Sequence, residues 1–109
     1  MSPSSLTALT EEQLTIARAT ENGRSAQTVH GGQGSRLRQT LIALAAGHGL
    51  AEHASPGEAT LQVLRGRVRL VADDHAWTGA TGDLLVIPDA HHSLHADEDS
   101  AVLLTVALG

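Results

Sequence analysis

From Leu37 to the end of the chain, every apolar run is cut within a few residues by glycine, proline or aspartate. The breaks fall at Gly47, Gly49, Pro56-Gly57, Gly66, Asp73-Asp74, Gly82-Asp83 and Pro88-Asp89. Segments this short cannot form stable amphipathic helices, but they match the length of strands. The clearest is Ala59-Thr60-Leu61-Gln62-Val63-Leu64, where apolar and polar residues alternate as on a half-buried strand. Just before it, Ser55-Pro56-Gly57 reads as a turn, because proline fixes φ and glycine accepts the positive φ that follows. The spacing predicts strands over Ser25–His30, Leu37–Ala46, Leu50–Ala54, Ala59–Arg65, Arg67–Ala72, His75–Thr78, Leu84–Pro88, Ser93–Ala96 and Ser100–Leu108. Leu37–Ala46 taken alone also suits a helix, but Gly47 and Gly49 close it and all that follows is β. Many short strands with frequent turns describe an all-β sandwich or barrel.

One helix is predicted upstream. Residues 1–9 are rich in Ser and Thr and read as a frayed tail. Thr10-Glu11-Glu12-Gln13 fits a capping box, with Leu9 and Leu14 as a hydrophobic staple across it. Asn22-Gly23 supplies a left-handed stop. The expected organisation is a tail and short helix over residues 1–24 and one β-domain over 25–109.

Composition narrows the function classes. The 109 residues contain no Phe, no Tyr and a single Trp, so the core must be built from Leu, Val, Ile and Ala. Trp77 is expected in that core or plugging an interface. There is no Cys, which excludes disulfides and thiolate metal sites. The net charge is −5 and every cation is Arg, which argues against a phosphate-tracking nucleic-acid surface. Arg65, Arg67 and Arg69 read as a solvent-facing row, and Asp97-Glu98-Asp99 as a solvated turn. No apolar run approaches membrane length, so no membrane partner is expected and a cytoplasmic location is.

Two stretches carry a resemblance. The first is Gly47, five residues, His53 and the closing Gly66. The second is Gly82, five residues and Pro88, followed by His91-His92-Ser93-Leu94-His95. Together they resemble the paired motifs of the cupin superfamily, and the wording of residues 37–108 is similar to small stand-alone bacterial cupins. The resemblance implies a cupin-type jelly-roll β-barrel with one short N-terminal α-helix. It also implies an interior divalent metal (Zn, Ni, Fe, Mn or Cu) held by first-motif His, His and Glu and second-motif His. Of the first-motif ligands only His53 is retained. Ser55 and Ala59 stand at the other two positions, and Glu58 sits one residue early, which on a strand turns it to the opposite face. The second-motif position falls on Ser93 by strict counting, and on His92 if one residue is deleted after Pro88. Alternation favours His92, because an inward His92 brings Leu94 and Ala96 inward and leaves His91, Ser93 and His95 outside.

The expected ligand pocket therefore holds His53, His92 and Ser55, with Leu61, Val63, Leu84, Val86 and Leu94 as walls. His53 and His92 are the metal candidates, and Glu52, Glu58 or Gln62 would have to supply a third ligand. No nucleophile or acid pair stands out, and no catalytic residue is assigned. The expected function is non-catalytic binding of a small molecule, a divalent metal or both, in a sensor or accessory role. The alternative is a metal-dependent cupin enzyme of the dioxygenase, isomerase or decarboxylase type using His53 and His92. A homodimer is expected, because small cupins commonly pair through their sheets. The strand at 25–30 and the apolar last strand also offer edges to cover.

Overall fold

The computed structural model describes residues 3–54 and 57–108. The elements are α1 (Leu6–Ala19), β1 (Arg24–His30), β2 (Leu37–Leu44), β3 (Gly49–His53), β4 (Glu58–Arg65), β5 (Arg67–Ala72), β6 (His75–Ala80), β7 (Leu84–Val86), β8 (His92–Ala96) and β9 (Ser100–Ala107). The strands form two antiparallel sheets, one ordered β1-β2-β9-β4-β7 and the other β3-β8-β5-β6. From β2 onward the chain passes back and forth between them, which is the jelly-roll arrangement.

The core lies between the sheets. Alternation sends Leu61 and Val63 of β4, Val68 and Leu70 of β5, Leu94 and Ala96 of β8, and Val102 and Val106 of β9 into one cluster. With no Phe or Tyr available, branched aliphatics and Ala59 fill this space. Each fully buried Leu or Val adds about 2 kcal/mol over leaving it exposed. The last strand is not an edge: β9 sits in the middle of its sheet, paired to β2 on one side and β4 on the other. An apolar strand gains most where both edges and both faces are covered, and the helix covers part of its outer side.

That helix starts earlier than a cap at Thr10. Ser5 is the N-cap, its Oγ accepting from the Ala8 amide at 3.1 Å. The same chemistry is thus available five residues upstream, and the longer helix gains further backbone bonds. Thr10 instead lies on the buried face with Gln13, Leu14 and Ala17, the spacing of one helical stripe. Leu14 and Ala17 pack on Ala43 of β2, outside the barrel. Gln13 ties the helix to β1, donating to Gln27 Oε1 at 3.1 Å and accepting from Ser25 Oγ. The helix ends at Ala19. Gly23, at φ +67°, forms the turn into β1 beneath the His48 ring, where any Cβ would collide.

Charged groups expected in solvent turn out to clamp the helix and the turns. Arg18 Nε donates to Asp99 Oδ2 at 2.6 Å, and the Ala46 amide donates to Asp99 Oδ1 at 2.8 Å. These bonds, the Arg18 one foremost, hold the Asp99 carboxyl below the usual range. Arg65 pairs with Glu11 on the helix, which lowers the Glu11 pKa. Arg69 Nε reaches Asp97 at 3.2 Å. Asp97 and Asp99 are therefore partners of arginines within the exposed turn that joins β8 to β9. No helix among the described residues is long and apolar enough to cross a membrane.

Candidate functional site

The site is built by one irregularity in β3. Leu50 pairs with Leu94 and His53 pairs with His92, so three steps on β3 match two on β8. Strict alternation would put Leu50 and His53 on opposite faces. The bulge carries both to the inner face, where both line one cavity. His92 and Leu94, two residues apart on regular β8, share that face without help. His92 is 3% exposed, while His91 and His95 on either side are exposed.

The cavity has a volume of about 50 Å³ and is lined by His53, His92, Leu61 and Leu94, with Ile42, Leu50, Leu70, Ile87 and Leu104 completing it. That is room for a few waters and well short of a drug-sized ligand. Among the described residues that line it, the two imidazoles are the only polar side chains. His92 is buried and His53 is exposed at the mouth. Their rings meet edge-on, with centroids 4.4 Å apart and planes at 62°.

Each ring is oriented by a backbone carbonyl near it in the chain. His53 Nδ1 lies 2.8 Å from the Ala51 carbonyl and His92 Nδ1 lies 2.9 Å from the Ala90 carbonyl. A carbonyl oxygen only accepts, so Nδ1 carries the proton in both rings. In the neutral imidazole each Nε2 is then a bare lone pair, able to accept a hydrogen bond or bind a metal. A carbonyl two residues upstream serves each ring, within β3 for His53 and in the turn before β8 for His92.

The metal implied by the fold family does not fit the residues present. Its third position is Ala59, apolar and 3% exposed on the inner face of β4. Glu58 faces out beside it, and Glu52 and Gln62 are also exposed. Among the described residues no group of three His, Cys, Asp or Glu could hold a metal ion. Two imidazoles make a weak site, not a resident metal centre. Ser55 and the Ser55-Pro56 part of the predicted turn lie outside the described residues.

Three expected wall residues are placed elsewhere. Val63 is fully buried but beyond the cavity, packed where the sheets close near Gly79. Leu84 and Val86 pair with Gln62 and Thr60 and point outward, 61% and 72% exposed. Leu85, opposite Leu61, is the inward member of β7, and Ile87 follows it inward, its amide bonded to the Ala59 carbonyl at 3.0 Å. Four apolar residues in a row, Leu84 to Ile87, carry no parity signal, so alternation cannot choose between the two faces. Leu50, Leu70 and Leu104 have ordinary strand patterning, and nothing in the sequence marks them as cavity walls.

No protein-family model matches the chain, and no curated protein matches it in sequence. Its fold, however, recurs among solved structures. An RmlC-like cupin protein from Desulfovibrio desulfuricans is 28% identical, with a TM-score of 0.67 over 77% of this chain and 81% of that one. A cupin-superfamily protein from Desulfitobacterium hafniense is 18% identical, with a TM-score of 0.73 over 86% and 88%. A single-residue mutant of salicylate 1,2-dioxygenase from Pseudoaminobacter salicylatoxidans is 23% identical, with a TM-score of 0.78 over 92% of this chain and 34% of that one. The jelly roll of two antiparallel sheets, the glycine-framed β3–β4 and β7–β8 segments and these likenesses place the chain in the cupin superfamily.

Proposed function

We propose that this barrel is a non-catalytic binding module that takes a small hydrogen-bond-donating ligand on the Nε2 atoms of His53 and His92. The observation that carries this reading is the His53–His92 pair, both Nδ1–H groups committed to carbonyls, at the mouth of an otherwise apolar cavity. Specificity in such a site comes from a few placed polar groups on apolar walls. The likeness to a dioxygenase at 23% identity shows the fold alone. A cupin enzyme needs a metal with open positions, and Ala59 stands where the third ligand would be. A cytoplasmic sensor or accessory role suits a fold that needs no disulfide.

The test is metal analysis of tag-free protein alongside His53→Ala and His92→Ala. The expected result is a metal content well below one equivalent in the parent, with no drop in His53→Ala or His92→Ala. One equivalent of a transition metal, lost in both variants, would replace this reading with a metal-dependent one. Metal that persists in both variants would belong to the exposed histidines.

We also propose a homodimer. Exposed Leu37, Val86 and Leu84 share the outer face of the five-stranded sheet with Thr60 and Thr105, next to the part that α1 covers. Pairing two copies through this face would bury all three apolar side chains. Light scattering at micromolar concentration should give twice the mass of the 11.3 kDa chain, and Val86→Glu should halve it. A monomeric parent protein rules the pairing out.

A further inference from the structure

A second cavity lies outside the barrel, where α1 meets the end of β4. Val63 pairs with Val102 and Arg65 pairs with Ala101, so two steps on β4 match one on β9. Val63 points into the core, and strict alternation would turn Arg65 inward with it. The bulge instead sets Arg65 opposite Ala101, beside Leu64. Ala101 pairs with Ala43, which packs under α1, so this is the face that carries the helix. Leu64 and Arg65 line a cavity of about 110 Å³ together with Leu6, Thr7 and Thr10 of α1. Thr10 is 3% exposed, and its Oγ1 is, among the described residues, the one buried side-chain polar atom without a hydrogen-bond partner. Thr15 and Thr20 of the same helix donate to the carbonyls four residues back, at 2.9 and 2.7 Å, and Thr10 does not. A buried hydroxyl left unpaired costs free energy that a bound partner would return. The first turn adds further donors. The first helical bond runs from the Leu9 amide to the Ser5 carbonyl, and Ser5 Oγ takes the Ala8 amide. The amides of Leu6 and Thr7 have no acceptor within the helix.

We propose that this cavity is a second binding site, separate from the histidine pair, for a small monocarboxylate with a short aliphatic tail. The polar groups around it are donors: the Arg65 guanidinium, the Thr7 and Thr10 hydroxyls and the first-turn amides at the positive end of the helix. None of the residues lining it is acidic. The guanidinium fork fits a carboxylate, and one of its nitrogens already engages the carboxylate of Glu11. Arg65 keeps Glu11 ionised, and that neighbouring negative charge favours a monoanion over a dianion such as phosphate. Leu6 and Leu64 supply apolar contact for the tail, and the volume is about twice that of the histidine cavity. The ligand and Glu11 compete for Arg65, so binding loosens the clamp between α1 and β4.

The full chain is titrated with sodium propionate at constant ionic strength, and the amide resonances of Leu6, Thr7 and Thr10 are followed by NMR. Two controls are 1-propanol (same tail, no charge) and inorganic phosphate (charge, no tail). Propionate should shift the three amides saturably and leave the His53 and His92 ring signals in place. Thr10→Val and Arg65→Gln should each weaken binding about tenfold, the effect of losing one hydrogen bond to an ionised group. Glu11→Gln should tighten it about threefold, because the competing carboxylate is gone. Should Thr10→Val fail to fold, Thr10→Ala takes its place. Equal affinity in the parent, Thr10→Val and Arg65→Gln would put the anion elsewhere on the surface and overturn the site. A linear shift without saturation, or no shift at all, would do the same. Shifts confined to the histidine rings would send the acid to the barrel interior and leave the second site without support. Phosphate or 1-propanol binding as tightly as propionate would sink the carboxylate as the ligand class.

Discussion

Gly66→Ala should lower the unfolding free energy by about 3 kcal/mol or more. Gly66 joins β4 to β5 at φ +90°, in the region that L-residues rarely adopt. A Cβ there would also overlap the Asp99 carbonyl and sit 2.9 Å from Ser100 Cα, both backbone and unable to swing away. Ser100 is fully buried, its Oγ receiving the Arg67 amide at 3.1 Å and donating to the Glu98 carbonyl at 2.7 Å. Pushing it aside disturbs the β4–β5 connection and the start of β9 together. Gly47→Ala is the comparison. Gly47 has φ +82° but nothing within 4 Å of its Cβ position, so only backbone strain of about 1–2 kcal/mol applies. Urea unfolding should show a larger fall in midpoint for Gly66→Ala at unchanged slope. Equal losses at the two sites would mean that the close approach of β9 carries no weight.

Leu94→Ala should cost about 3 kcal/mol, through lost transfer energy and an enlarged void. Leu94 is 3% exposed, opposed by Leu50 on one side and Leu70 on the other, all three lining the cavity. For a chain of this size the melting temperature should drop by the order of 15 °C. In the Val86→Glu background, where pairing through this face is broken, Leu84→Ala, on a residue 61% exposed, should stay within about 0.5 kcal/mol. A large loss at Leu84 would reverse the facing of β7 described above. Because the cavity grows in Leu94→Ala, the variant separates the roles of wall and imidazole: its stability falls while both Nε2 acceptors remain.

The barrel was legible in the chain because turn chemistry is local. Pro88 and the glycines at 23, 47, 66 and 82 mark breaks whether or not anything packs against them, and all four of these glycines adopt positive φ. The inward His92 was legible for the same kind of reason, since Leu94 and Ala96 leave only one parity for the strand. The helix start was not, because Ser5 and Thr10 have equivalent capping chemistry and only the sheet beneath decides how many turns are worth forming.

What only the tertiary structure decided are the features that depend on a neighbouring strand. The bulge that turns both Leu50 and His53 inward exists in the pairing of β3 with β8, and no residue of β3 announces it. The facing of Leu84 and Val86 follows from the partner strand, because an unbroken apolar run has no period to read. The row Leu50, Leu94, Leu70, Trp77 spans four strands and four separate parts of the sequence, and it ends on the outer strand β6, which leaves Trp77 41% exposed and not in the core. Turns, alternation and composition are written residue by residue, so the chain alone specified an aliphatic β-sandwich or barrel with His92 inward and His53 as its candidate partner. Register is a relation between distant segments, and it was register that set those imidazoles 4.4 Å apart and placed Ala59, not a carboxylate, on the inner face.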